Sequence, residues 1–130
     1  MFTTTIEPRV SETDGVGHIN NTTVPVWLEA GRNELFRLFM PEPDFSRWSL
    51  LVVSTRIDFT SQIYYGEPVE VRCQVSKIGN TSLTLYEEIH QGGRLCVKAE
   101  TTYVHVDPAS KKPEPIPDRV REQLQQHLAG

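Results

Sequence analysis

Apolar residues along this chain keep two rhythms, one of period two and one near 3.6, and the switches between them mark its elements. Residues 2–12 are rich in β-branched side chains and read as a first strand, with Pro8 favouring an edge or a bend. Thr13-Asp14-Gly15-Val16-Gly17-His18-Ile19-Asn20-Asn21 follows, a loop by its glycines, asparagines and aspartate. From Thr22 to Met40 the period lengthens. Val24, Trp27, Leu28, Gly31, Leu35, Leu38 and Phe39 share one helical face, opposite Glu29, Arg32, Asn33 and Arg37. Thr22 or Thr23 suits the N-cap, Pro25 the first turn, and Pro41 and Pro43 the end. Gly31 on the apolar face costs about 1 kcal/mol of helix propensity, which predicts a close approach of the helix backbone to a sheet.

The rest alternates. Leu50 to Phe59 is apolar on both parities at first and then alternates. Val69, Val71, Cys73 and Val75 stand against Glu70, Arg72, Gln74 and Ser76. Gly79-Asn80 and Gly92-Gly93 read as turns around a strand carrying Leu83, Leu85 and Ile89. Leu95, Val97 and Ala99 begin a long strand to Val106, where a change of parity at Val104 predicts a bulge. Residues 117–129 form a polar helix with Val120, Leu124 and Leu128 in one stripe. The expected order is one strand, one long helix, then four meandering antiparallel strands, an α+β arrangement in which the sheet wraps around the central helix. One helix cannot cover such a sheet alone, so edges and one face are left for a second subunit.

Composition narrows the classes. The 130 residues fit a single domain, 1–130, with a hydrophobic fraction of 38% that suffices for a core. A net charge of −4 with scattered Lys and Arg gives no footprint for nucleic acid or an anionic membrane. No apolar run reaches the roughly 18 residues of a membrane span, and the first residues lack a signal-peptide pattern, so a cytoplasmic protein is expected. Cys73 and Cys96 lie mid-strand as buried thiols would. The histidines at 18, 90, 105 and 127 are too scattered for a metal site, and no G-x-S-x-G segment offers a serine nucleophile.

Glu12-Thr13-Asp14-Gly15-Val16-Gly17-His18-Ile19-Asn20-Asn21, followed by Trp27-Leu28-Glu29-Ala30-Gly31-Arg32, resembles the hot-dog fold family. The pattern is D-x-x-G-H-x-N-N running into a helix with E-x-x-R, and it is closest to the 4-hydroxybenzoyl-CoA thioesterase-like branch. Tyr65-Gly66-Glu67-Pro68-Val69 and the C-terminal Val106-Asp107 with Pro115-Ile116-Pro117 agree with it. Val24 and Pro25 depart from it, standing where many relatives carry an aromatic residue and a longer side chain.

The resemblance implies hydrolysis of an acyl-CoA or acyl-carrier-protein thioester, without cofactor or metal, by a homodimer or homotetramer with the site between subunits. It implies Asp14 as nucleophile or general base, and the backbone amide of Asn21 as the donor that holds the oxyanion. Gly17, His18, Asn20, Trp27 and Glu29 are the candidate substrate contacts. Plain turn chemistry offers other readings: Asp14 as an Asx-turn residue, Asn20 and Asn21 as caps, His18 as a loop tie, and Glu29 with Arg32 as a surface pair. Two other functions share the fold, a 3-hydroxyacyl-thioester hydratase or dehydratase and a non-catalytic acyl-CoA-binding module.

Overall fold

The structure is a computed structural model that describes residues 1–128. Its strands are β1 (Phe2–Ile6), β2 (Leu50–Phe59), β3 (Val69–Ile78), β4 (Ser82–Gln91) and β5 (Arg94–His105). Its helices are α1 (Val24–Ala30), α2 (Asn33–Phe39) and α3 (Asp118–Gln125). The strands form one antiparallel sheet in the order β1-β3-β4-β5-β2. The tight turns at Gly79-Asn80 and Gly92-Gly93 join β3, β4 and β5 as a meander. β2, expected as the first strand of that meander, instead crosses to the far edge and among the described residues pairs only with β5.

The period-two pattern sets the faces. Val69, Val71, Cys73 and Val75 of β3, and Leu83, Leu85 and Ile89 of β4, are buried beneath the helices. One cluster joins Leu35 of α2 to Leu85, Tyr103 and the α3 residues Val120 and Leu124. The other joins Trp27 and Leu28 of α1 to Val71, Ile89 and Val97. Both cysteines are free and buried, and burial pushes the Cys73 thiol up to about 12.

Four further sequence expectations change. The first strand ends at Ile6, and Val10–Glu12 is a 3-10 turn. The bulge of β5 falls at Cys96, because Ile89 pairs with Val97 while His90 pairs with Leu95; Val104 keeps regular pairing. The polar C-terminal helix stops at Gln125, and Leu128 is exposed.

The fourth change is the single long helix, which is divided at Gly31 and Arg32 into α1 and α2. Its cause is local. A Cβ on Gly31 would lie 2.5 Å from Cγ1 of Val71, so the backbone does rest directly on β3. The next residue, Arg32, is not on the surface with Glu29 but drives into the core with 6% exposure. It donates to both carboxylate oxygens of the fully buried Glu87, at 2.8 and 2.9 Å, and to Thr101 and Tyr103, each at 3.0 Å. Burial opposes the Arg32 charge, but Glu87 outweighs it and holds the pKa above its ordinary value. The turn between α1 and α2 is what allows this side chain to reach the sheet.

Candidate active site

The Asp14 loop is a narrow hairpin closed by backbone hydrogen bonds. Asp14 N–H donates to the His18 carbonyl at 2.9 Å, Asn20 N–H donates to the Glu12 carbonyl at 2.8 Å, and Thr13 bridges Ile19. Gly15 and Gly17, at φ 92° and 86°, make the reversal possible, since L side chains rarely adopt that region. Asp14 Oδ1 accepts the Val16 N–H at 3.0 Å, the expected Asx-turn. Oδ2 lies 3.9 Å from His18 Nδ1, beyond hydrogen-bond length, and takes no hydrogen bond among the described residues. One carboxylate oxygen thus orders the loop and the other is unspent.

The Asn20 side chain caps the following turn by accepting from the Thr22 N–H and hydroxyl, both at 2.9 Å. Asn21, the first residue of that 3-10 turn, leads without a break into α1. Its own N–H has no backbone or side-chain acceptor among the described residues, the ordinary state of a donor at a helix start. A cleft of about 240 Å³ is lined by Asp14, Ile19, Asn20, Asn21 and Gln62. Beside it a second, of about 330 Å³, runs between Asn21, Val24, Phe59 and Gln62. Asp14, with its unspent oxygen, and Asn21, with its unpaired amide, therefore line one space, flanked by a recess of mixed polar and apolar lining.

The base of the loop is pinned by Glu12, a buried carboxylate. It accepts from the Trp27 indole N–H at 2.9 Å and from the Arg9 backbone N–H at 2.7 Å. Burial pushes its carboxyl up, but the bonds from Arg9 and Trp27 prevail and hold it below the usual range.

A protein-family model described as the thioesterase-like superfamily matches residues 8–124. The chain belongs to the thioesterase-like superfamily. A curated relative from Bacillus subtilis (strain 168), named "Putative acyl-CoA thioesterase YneP", is 30% identical over 112 residues, covering 83% of this chain and 81% of that protein. The structure described as a predicted thioesterase from Bacillus stearothermophilus superposes with a TM-score of 0.95 at 55% identity, covering 98% of this chain and 96% of its own. A thioesterase from Thermus thermophilus, crystallised with coenzyme A and zinc, shares the fold, with a TM-score of 0.85 at 22% identity over 95% and 97% of the two chains. Family and relatives together support acyl-CoA thioester hydrolysis as the general activity.

Within this thioesterase-like chain the expected site residues separate into two groups. Asp14, Asn20 and Asn21 line one cleft. Gly17 shapes the loop, and His18 packs edge-on against Tyr64 at 5.1 Å between ring centroids and lines neither cleft. Trp27 is 2% exposed and is committed to the core and to Glu12. Glu29 lies elsewhere, on the wall of a groove of about 1120 Å³ between the helices and the start of β2, with Val26, Phe36, Trp48, Leu51 and Tyr103. Gln62 and Glu12 were not singled out by the sequence. Glu12 stands in an apparent strand and Gln62 in an unpatterned connection, so periodicity carries no signal for either. No helix among the described residues is long and apolar enough to cross a membrane. No group of three or more His, Cys, Asp or Glu among them is placed to hold a metal.

Proposed function

We propose that the chain hydrolyses acyl-CoA with Asp14 as the reacting carboxylate and the Asn21 amide as oxyanion donor. The observation that carries this reading is that Asp14, whose Oδ2 is unspent, and Asn21, whose N–H is unpaired, line one cleft. A thioester carbonyl seated there meets the amide with its oxygen and the carboxylate with its carbon. Asp14 then attacks the carbon itself, forming an anhydride and releasing CoA thiolate, or takes a proton from a water that attacks. Water opens the anhydride in the first case; both routes end in free CoA and a carboxylic acid.

A second copy completes the site in this reading. β2 is an open edge of ten residues that exposes Leu51, Val52, Val53 and Phe59. Antiparallel pairing of two such edges about a dyad sets the Phe59 end of one strand beside the Leu50 end of the other. The Asp14 cleft of one copy then faces the large apolar groove of its partner, which takes the acyl group. A CoA-bound relative of the same fold agrees with this substrate.

Thiol release from a panel of aliphatic and aromatic acyl-CoAs tests the proposal. Asp14→Ala is expected to lower turnover by at least about 10²-fold while leaving the melting temperature near that of the wild type. Wild-type turnover by Asp14→Ala would remove Asp14 from the mechanism.

A further inference from the structure

Gln91 closes β4 directly before the Gly92-Gly93 turn and is 2% exposed. A buried carboxamide needs partners for two donors and its oxygen, and Gln91 finds them all in one neighbouring segment. Its Oε1 accepts the Tyr64 N–H at 2.9 Å, and its Nε2 donates to the Tyr64 carbonyl at 2.8 Å and the Glu67 carbonyl at 3.0 Å. The side chain thus pairs with both backbone polar groups of Tyr64, as an adjacent strand would. Residues 60–68 join β2 to β3 outside either strand, so this side chain stands in for a missing ladder.

That segment in turn grips the Asp14 loop. Ile19 N–H donates to the Ile63 carbonyl at 2.8 Å, Tyr65 N–H donates to the Gly17 carbonyl at 2.9 Å, and His18 bridges Tyr64. Ile19 precedes Asn20 and Asn21, and the His18 carbonyl holds the Asp14 N–H. Gln62, on the same segment, walls the cleft opposite them. β5 holds the near half of this segment, where Arg94 donates to the Gln62 carbonyl at 3.0 Å and the Thr60 and Ser61 N–H groups donate to the Cys96 carbonyl at 2.9 and 3.2 Å. Gln91 holds the Tyr64–Glu67 half, which grips the Gly17 and His18 side of the loop.

We infer that Gln91 is a positioning residue for the hydrolysis: through Tyr64 and Glu67 it sets the spacing between the Asp14 carboxylate and the Asn21 amide. The inference rests on the reading of Asp14 given above. Gln91 touches neither cleft nor groove, so its loss acts on geometry and not on substrate contact. A displacement of about 1 Å in a reacting group costs on the order of 10²-fold in rate.

The test compares wild type, Gln91→Leu, Gln91→Glu and Asp14→Asn by kcat and KM on the best acyl-CoA of the panel, by thermal melting, and by amide exchange. Leu removes all the bonds, whereas an ionised Glu keeps the shape and the acceptor but neither donor. Where the Leu variant does not fold, the Glu variant carries the test. Folded Gln91 variants are expected to lose roughly 10- to 100-fold in kcat with KM within about threefold, and to exchange the Ile19 and Tyr65 amides faster. A kcat within about twofold of wild type, or a change confined to KM, overturns the inference while Asp14→Asn remains inactive. Full turnover by Asp14→Asn would instead bring down the Asp14 reading itself, and this inference with it.

Discussion

Glu12 ties the first turn of the chain to the helix behind it, and its partners say what it is worth. Trp27→Phe keeps the ring in the core but leaves a buried carboxylate oxygen without its donor, at a cost of about 1–3 kcal/mol. Urea unfolding is expected to show that loss, together with a fall in turnover as the base of the Asp14 loop loosens. The pH dependence has a definite sign. The Glu12 carboxyl lies below its ordinary range in the folded state, so its contribution is complete above the unfolded value of about 4.3 and is lost as pH falls through the folded one. Melting temperature below about pH 4.3 should therefore drop more steeply for wild type than for Glu12→Gln. Little of this was visible beforehand. Asp14 stood out because glycines and asparagines surround it, whereas the Glu12–Trp27 bond joins residues fifteen apart and belongs to no period.

Between α1 and α2 the outcome is decided by two residues that the helical pattern assigned to opposite faces. Gly31 was legible as a contact point because a glycine on an apolar stripe needs a reason. Arg32 was not, since helical spacing alone puts it beside Glu29. The missing signal lay in β4, where Leu83, Leu85, Glu87, Ile89 and Gln91 alternate inward, and a buried Glu87 demands a cation. Arg32→Met strands that carboxylate and should destabilise by about 3–5 kcal/mol, whereas Arg32→Met with Glu87→Leu should recover most of it. Chemical denaturation of both variants separates a true ion-pair requirement from a packing one. Gly31→Ala drives a methyl into Val71 and is expected to cost about 1–3 kcal/mol, part of which Val71→Ala relieves.

For the whole molecule, the strands were legible in number, and β3 and β4 in phase, but the crossing of β2 to the far edge was not. Hydrophobic alternation tells which residues face inward and says nothing of which strand lies beside which. The apolar opening of β2 broke the alternation without a cause visible in the pattern; its exposed side chains at Leu51, Val52 and Val53 become intelligible once it is an edge. Lysine at both Val52 and Val53 adds charge to that edge without touching the core. Sedimentation at micromolar concentration is expected to show a dimer for wild type and a monomer for this variant, with thiol release falling in parallel.

The position of β2 also governs when the molecule can be finished. Leu50–Phe59 is made early but among the described residues has β5 as its sole strand partner, and β5 is made only after β3 and β4. At the usual rate of chain growth the wait is on the order of seconds. Throughout it, the uncharged, β-prone stretch from Leu50 to Thr55 has no sheet to join. A nascent chain of this protein is therefore expected to be prone to aggregation during that interval. Slowing its synthesis just after β2 should lower the soluble yield, while slowing it after β5 should not.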